Sequence, residues 1–420
     1  MKRLTAAERG HGRRVPVLFL AAETLSLLGN SIAGIALPWL VLVRTEDAAA
    51  AGTVAAASGL PMLVAAVAGG VVIDRVGRRR ISIGADLASA ACVAALPVVD
   101  AVFGLNLGWF IVLGIAGAVF DIPGMTARET LLPDVATSAG MSLERLSGLR
   151  QAFTGAALIV GPALGALVLT WLEGSTALWV TAATSATAAL LTAALPANLG
   201  TSTVAEKQHW AKDLRFAASV LRREPVLIML TALSTASLLV MAPIQMLLLP
   251  AHFVQTGGSA GQLGPVIMAS ALGMIGGNLV YSAIGTRLSR RTWLSVSVLG
   301  SIGAIAWLTA LPAYWWVVAA SAVLGVVSGP MQPLMLVLTS ERVPEQARGR
   351  VFGVQNAVML SASPVGAFAG GWLITGLGVH GTGTLITVVW AALALGALLL
   401  PGARQLESQN EEVPVDADDR

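Results

Sequence analysis

The stretch Gly70-Val71-Val72-Ile73-Asp74-Arg75-Val76-Gly77-Arg78-Arg79-Arg80 places four arginines between two long apolar runs. Neither run would be soluble on its own, so the stretch is expected to form a loop at a membrane surface, between two spanning helices. About half of the 420-residue chain later, the pattern returns as Ser282-Ala283-Ile284-Gly285-Thr286-Arg287-Leu288-Ser289-Arg290-Arg291. This recurrence indicates a duplicated membrane protein with several spans in each half.

The composition supports a membrane protein throughout. Apolar residues make up 55% and charged residues 12%, with a mean hydropathy of +0.77. Soluble domains carry about 25% charged residues, so this chain has too few polar side chains to cover a soluble core. The pI near 9.5 reflects cations that cluster in loops on one side of the membrane, so we expect no nucleic-acid partner. The single cysteine, Cys92, excludes disulfides and cysteine metal sites.

Twelve apolar segments are each long enough, at about 20 residues, to cross the hydrocarbon core. They lie near 15–43, 50–73, 81–99, 106–128, 149–172, 176–197, 225–250, 262–285, 292–311, 314–338, 351–377 and 381–401. When the loops are assigned to alternate sides, every lysine and arginine except Arg44 falls on the side of the N-terminus. This asymmetry predicts that both termini are cytoplasmic, and it requires an even number of spans.

The expected fold is therefore an all-α integral membrane protein with twelve transmembrane helices, arranged as two six-helix halves with pseudo-two-fold symmetry. We expect the N-terminal half at 1–197 and the C-terminal half at 225–401. The polar segment 198–224 is predicted to be a cytoplasmic central loop, and the acidic segment 402–420 a disordered tail.

The arginine loop resembles the signature of the major facilitator superfamily between spans two and three, Gly-x-x-x-Asp-Arg-x-Gly-Arg-Arg. The matching residues are Gly70, Asp74, Arg75, Gly77, Arg78 and Arg79. The resemblance implies a cytoplasmic latch that holds the two halves together in the outward-facing state, with Asp74 pairing with cations and helix ends. The arginines would also anchor the loop on the cytoplasmic side.

Span five carries Gly161-Pro162-Ala163-Leu164-Gly165-Ala166, which resembles an element of the antiporters in that superfamily. The matching residues are Gly161, Pro162 and Gly165. Small residues let helices pack closely and proline bends a helix, so ordinary packing is the alternative explanation. Three further stretches are similar to the drug-efflux and macrolide-efflux-like branch, which includes siderophore exporters: 25–41, 122–134 and 342–353.

Polar residues inside spans are costly and are therefore candidates for function. Glu23 lies about two turns inside span one, with Ser26 and Asn30 on the same helical face. We find no lysine, arginine or histidine in the middle of any span to pair with Glu23. Desolvation should then favour its protonated form, which a proton carrier needs. A protonated carboxyl group that only cross-links two helices is the alternative.

Asp121 in span four is expected to form a structural ion pair with Arg128, and Asp86 is interpreted in the same way. In this superfamily spans one, four, seven and ten line the cavity. The resemblance therefore implies a proton-coupling and substrate cavity that contains Glu23, Asn30, Asp121, Gln245 and Gln332. Three other amides are expected to cap or cross-link helices instead: Asn278, Gln355 and Asn356.

The predicted function is secondary active transport, as a proton-coupled antiporter that exports an amphipathic drug, macrolide-like compound or siderophore by alternating access. The sequence has no Gly-x-x-x-x-Gly-Lys-Ser/Thr loop for ATP, and no His/Asp/Glu constellation that would favour an enzyme. A proton-coupled nutrient importer and a non-transporting membrane sensor are the alternatives. We expect no cofactor and no metal. The expected partners are a small molecule, protons and lipid, with the protein as a monomer in the plasma membrane.

Overall fold

The computed structural model describes residues 6–59, 61, 76–172, 174–197, 199–200, 219–285, 287–311, 313–343 and 345–406. Ten helices among them are long and apolar enough to cross a membrane. The last, Arg350–Leu399, contains Gly378 with a φ of 72°, so it holds two spans. A shorter apolar helix, Ala48–Gly59, begins the second predicted span. Each of the twelve predicted segments thus contains a helix, and the all-α prediction is confirmed.

The helices are numbered in chain order. The first half contains α1 (Ala6–Thr45), α2 (Ala48–Gly59), α3 (Arg78–Phe103), α4 (Leu107–Ala139), α5 (Leu143–Trp171) and α6 (Leu178–Ala193). The second half contains α7 (Pro225–Gln255), α8 (Leu263–Ile284), α9 (Arg290–Thr309), α10 (Tyr314–Arg342), α11 (345–377), α12 (379–399) and the short α13 (Pro401–Arg404). A π-helical segment, Ile244–Leu248, interrupts α7.

Side-chain caps account for several helix starts. The side chains of Asn106, Ser142 and Ser289 each accept a hydrogen bond from a backbone N–H three residues further on. Such caps satisfy backbone donors that have no partner within the first turn. α4 ends at Gly140, whose φ of 62° lies in the left-handed region that favours glycine. Since this stop lies beyond the apolar segment, α4 is longer than the span predicted at 106–128.

The described chain packs into two compact units. Unit 1 holds the described residues up to 200 together with 241–268 and 363–382. Unit 2 holds the described residues of 209–240, 269–362 and 383–420. Unit 1 therefore includes the end of α7, the beginning of α8 and the end of α11, although these belong to the second half of the sequence.

Within unit 1, α2 and α11 meet beside the turn that follows α1. A Cβ atom on Gly52 would lie 2.6 Å from the carbonyl oxygen of Ala367, and one on Gly371 would lie 2.5 Å from that of Ala48. Only glycine permits backbones to approach this closely. The Thr375 hydroxyl donates a hydrogen bond to the Asp47 carboxylate at 2.9 Å. This contact joins helices from the two sequence halves at the end of unit 1 away from Arg14.

Candidate functional site

Glu23 has a cationic partner. Its carboxylate accepts a hydrogen bond from Arg150 Nε on α5 at 2.7 Å, and only 6% of Glu23 is exposed. A second nitrogen of Arg150 donates to Glu129 Oε1 on α4 at 3.2 Å. The expectation that Glu23 has no cation to pair with was therefore wrong. Arg150 lies in the third turn of α5, and its long side chain reaches inward from there to α1.

A second buried ion pair joins α3 to α4. Arg128 pairs with Asp86, and the two residues are 3% and 4% exposed. Ser26 Oγ donates to the same Asp86 oxygen at 3.1 Å, and Arg128 Nε donates to Ser82 Oγ at 3.2 Å. The predicted Asp121–Arg128 pair is thus replaced by Asp86–Arg128. Positions seven apart on a helix are separated by about 10 Å along its axis, which favours a partner on the adjacent helix.

Asp121 still belongs to this region. It lies near Ser89 on α3, and it interacts electrostatically with Asp86 and Arg128. Because Glu23 and Ser26 are neighbours on one face of α1, the two ion pairs form a continuous group of contacts across four helices. We call this group the carboxyl cluster: Glu23, Asp86, Asp121, Glu129, Arg128 and Arg150.

The carboxyl cluster has more acids than bases. Three carboxyl groups in the interior, those of Glu23, Asp86 and Asp121, face two guanidinium groups, so full ionisation would leave one uncompensated negative charge there. The fourth carboxyl group, that of Glu129, belongs to a side chain that is 59% exposed. Glu23 Oε2 and Asp86 Oδ2 are also buried without a hydrogen-bond partner. Uncompensated charge is expensive in a low-dielectric interior, and proton uptake removes that cost. The cluster is therefore suited chemically to bind and release protons.

The other predicted cavity residues lie in different places. Asn30 is half-buried on α1, two turns beyond Glu23. Gln245 lies in the π-helical segment of α7, in unit 1; such segments often occur at functional sites. Gln332 lies on α10 in unit 2. The structure thus brings Glu23 and Asp121 into one cluster, places Asn30 on the same helix as Glu23, and leaves Gln245 and Gln332 outside the cluster.

Part of the predicted latch can be described. Gly70, Asp74 and Arg75 lie outside the described residues. Gly77 has a φ of 97°, a conformation that favours glycine. Arg78 donates to the Thr130 carbonyl at 3.1 Å and lies 3.5 Å from an Asp134 oxygen.

Arg79 donates to the Ala193 carbonyl at 2.6 Å. The two arginines therefore tie the start of α3 to α4 and to the end of α6. In unit 2, Arg290, which matches Arg78 in the sequence repeat, pairs with Glu341 through two contacts of 2.7 Å. Asp134 and Glu341 both lie near the ends of their helices, so the duplication extends to this ion pair.

The small residues of the antiporter-like element face α1. A Cβ atom on Gly161 would lie 2.4 Å from Ser31 Cβ, and one on Gly165 would lie 3.1 Å from Ile32 Cα. Both glycines are buried, and Pro162 is inside the same helix. α5 thus packs against α1 just beyond Glu23, and this contact positions the helix that carries Arg150.

Unit 2 contains a cavity of about 750 Å³ between α8, α10 and α11. Gln332 lines it, whereas the other four residues predicted to share a cavity with Gln332 do not. Asn278, Gln355 and Asn356 also line it, although only a cap or cross-link was expected of them. Gln355 does cross-link α11 to α7, through a hydrogen bond to Thr231. The sequence signal that could have revealed the cavity is four amides within three neighbouring apolar spans.

Comparison with protein families identifies the architecture. The Major Facilitator Superfamily model matches residues 19–250 and 243–416, which together cover nearly all of the chain. The chain belongs to the Major Facilitator Superfamily. It is therefore a multi-pass membrane transporter of this superfamily's twelve-span, two-half layout, with a small molecule as its substrate.

Curated members of the superfamily are similar along nearly the whole chain. The multidrug efflux pump Tap of Mycobacterium tuberculosis (strain ATCC 25618 / H37Rv) is 35% identical over 419 residues, covering 95% of this chain and 96% of the relative. The macrolide efflux protein A of Streptococcus pyogenes is 25% identical over 382 residues, covering 88% and 92%.

Solved structures show the same fold at low sequence identity. The nucleoside transporter NupG superposes with a TM-score of 0.71 at 14% identity, covering 92% of this chain and 98% of NupG. A bacterial homologue of the iron transporter ferroportin, in an inward-facing state, gives a TM-score of 0.67 at 13% identity, covering 92% and 99%. At these identities the likeness concerns the fold alone.

Proposed function

We propose that this protein is a proton-coupled antiporter that exports an amphipathic small molecule by alternating access. The excess of one buried carboxyl group over the guanidinium groups in the carboxyl cluster carries the proposal. The relatives named as a multidrug efflux pump and a macrolide efflux protein support export as the direction and drug-like compounds as the substrate class. The arginine-rich loops support a plasma-membrane protein with both termini cytoplasmic, and we propose that it acts as a monomer.

Glu23 is the proposed proton carrier. Its protonation converts an anion into a neutral hydrogen-bonding group and removes the charge that holds Arg150. Because Arg150 also contacts Glu129, the guanidinium keeps a carboxylate partner while Glu23 is protonated. Protonation of Glu23 thus weakens the attraction between α1 and α5, without leaving an unpaired arginine in the protein interior.

The helix contacts supply the elements that a conformational cycle would move. The Gly70–Arg79 motif is the proposed latch on the cytoplasmic side, where Arg78 and Arg79 already join α3 to α4 and α6. The α2–α11 contact is the proposed closure on the opposite side. Two transport halves divided by a central loop near 198–224 would then open alternately at these two ends.

Transport into inverted membrane vesicles tests the proposal. Vesicles that contain the protein and a pH-sensitive dye are given an imposed proton gradient, and lipophilic drugs, macrolides and siderophores are added in turn. We expect at least one compound to dissipate the gradient only when the protein is present. Glu23→Gln should abolish this response, whereas Glu144→Gln, an exposed glutamate in the first turn of α5, should retain it. A panel with no protein-dependent response would reject proton-coupled export of these compounds.

A further inference from the structure

The cavity in unit 2 has a neutral, mixed polar and apolar wall. Its volume of about 750 Å³ lies in the range of sites for drug-sized ligands. None of the described residues that line it carries a formal charge. Its wall combines four amides with two thioethers: Asn278, Gln332, Gln355, Asn356, Met335 and Met359. Methionine side chains adapt to ligands of different shape, while the amides offer directional hydrogen bonds.

One of these amides has its orientation set by the protein. The Thr231 hydroxyl donates its hydrogen to the Leu227 carbonyl at 2.7 Å, so only its lone pairs remain for Gln355. Gln355 therefore turns its NH₂ group to Thr231, and Nε2 donates at 2.9 Å. This leaves Oε1 as the free end of a side chain that is 99% buried, and Oε1 has no partner.

A second acceptor in the same wall is also unpaired. Asn278 Oδ1 is buried and has no hydrogen-bond partner. Buried polar atoms without partners are rare, and each calls for a donor such as a hydroxyl or an N–H group. A ligand that supplies such donors would satisfy both oxygens while its apolar part contacts the methionines.

Because the described lining residues carry no charge, the cavity favours an uncharged ligand. A permanent cation would have to leave water without an opposite charge to compensate it, which is unfavourable in a low-dielectric cavity. An uncharged ligand has no such cost. The cavity also differs in this respect from the carboxyl cluster, which belongs to unit 1.

We propose that this cavity is a substrate subsite for uncharged amphipathic molecules that carry hydroxyl or N–H donors, with Gln355 and Asn278 as the residues that recognise those donors. The proposal rests on the proposed function in treating the bound molecule as cargo, and it adds the chemical class of that cargo. It assigns proton coupling and donor recognition to different units of the protein.

Binding to the purified full-length protein in lipid nanodiscs, measured by isothermal titration calorimetry, tests this proposal. The probes are uncharged drugs whose only hydrogen-bond donors are hydroxyl groups, podophyllotoxin among them, each paired with its O-methyl ether; tetraphenylphosphonium serves as a permanent cation. We expect the wild type to bind at least one hydroxylated drug about ten-fold more tightly than its ether, and to bind the cation more weakly than that drug. Gln355→Met should remove the difference between drug and ether. Ser361→Ala, which removes a hydroxyl bonded within the same helix, should preserve it.

If Gln355→Met weakened the binding of drug and ether by the same factor, Gln355 would only cross-link helices and the proposal would be overturned. A wild-type protein that binds no drug more tightly than its ether would also overturn it. If Gln355→Met does not fold, Asn278→Leu provides the same test, since Asn278 Oδ1 has no bond to lose. Donor-dependent binding without transport in the vesicle assay would sustain this inference and reject the proposed function. Transport without donor dependence would do the reverse.

Discussion

Arg150 Nε lies 2.7 Å from Glu23 Oε1, so a buried acidic residue of α1 is held by a cation from α5. The Glu23 side chain is only 8% exposed, whereas the side chain of Glu129, the other partner of Arg150, is 59% exposed. One arginine therefore joins a buried carboxylate to one near the surface of the protein. This asymmetry lets the protonation state of Glu23 change while Arg150 remains paired.

Replacing Arg150 should destabilise the protein, because it leaves the buried Glu23 carboxylate unpaired. Arg150→Met leaves Glu23 without a cation, and breaking a buried pair from one side costs about 3–5 kcal/mol. Acid should restore part of this loss, because protonated Glu23 needs no counter-charge. Thermal unfolding in detergent at about pH 5 and about pH 8 would show whether the variant is more stable at the lower pH, relative to wild type.

Glu129→Gln is the matched control for that experiment, since it removes the exposed partner of the same arginine. An exposed ion pair contributes about 0–1 kcal/mol, so this variant should unfold close to the wild-type temperature. Equal destabilisation by Arg150→Met and Glu129→Gln would contradict the assignment of Glu23 as the principal partner.

The Asp86–Arg128 pair should contribute to stability more than to coupling. Both residues are almost fully buried, and Ser26 and Ser82 donate and accept within the same network. Asp86→Asn removes the direct ion-pair partner of Arg128, which then keeps only its electrostatic interaction with Asp121, so we expect a loss of about 3–5 kcal/mol. Asp100→Asn offers a comparison, because the Arg44 partner of Asp100 is 42% exposed and the expected loss is about 1 kcal/mol or less. Unfolding temperatures of the two purified variants would rank them, and the reverse order would refute the argument.

The sequence predicted the fold well because the membrane imposes a simple rule. A helix that crosses the hydrocarbon core needs a long apolar run, and charged loops mark its ends. Each of the twelve runs contains a helix in the described chain. The structure extends the repeat of Arg78 as Arg290, because each arginine pairs with an acid near the end of a helix. Helix ends were less predictable, because caps such as Ser142 extend helices into polar sequence.

The partners of buried charges were not predictable in the same way. The sequence predicted an ion pair between Arg128 and Asp121, which lie on the same helix. In the structure α3 and α4 are oriented so that Asp86 on α3 pairs with Arg128 instead. The reach of Arg150 to Glu23 depends on how closely α5 approaches α1, which follows from three-dimensional packing at Gly161 and Gly165. The sequence shows that close approach is possible there, but it does not show which residues face each other.

Close packing between α5 and α1 gives a prediction with an internal control. Gly161→Ala would place a Cβ atom 2.4 Å from Ser31 Cβ, so the helices must separate, at a cost of about 1–3 kcal/mol. Gly155→Ala is on the same helix and has no atom within 4 Å of the new Cβ, so the higher helix propensity of alanine should leave stability unchanged or slightly raised. Thermal unfolding and gradient dissipation should both separate the variants. A Gly161→Ala protein that matched Gly155→Ala in both assays would rule out this contact as a constraint.

Asp74 should be needed for transport and not for membrane insertion. Arg78 and Arg79 already bind carbonyls on α4 and at the end of α6, so they can anchor the loop without Asp74. Asp74→Asn should therefore leave membrane insertion intact and impair transport. Protein amount in membranes, measured by blotting, and dye response in the vesicles separate the two effects. Unchanged transport would remove Asp74 from the mechanism.

The α2–α11 contact should control access from the side of the membrane opposite the arginine-rich loops. Gly52→Val would force a side chain against the Ala367 carbonyl, where even a Cβ atom would lie 2.6 Å away, so the two helices must part. Gly34→Val on α1 is the control, since a Cβ atom there meets nothing within 4 Å. In a Cys92→Ala background, Ala367→Cys reports on the contact through its reaction with a membrane-impermeant maleimide applied to whole cells. We expect the Gly52→Val protein to be labelled about ten-fold faster than the Gly34→Val protein, which corresponds to a shift of about 1.4 kcal/mol toward the open state. Equal labelling would mean that α2 and α11 do not close this side of the protein.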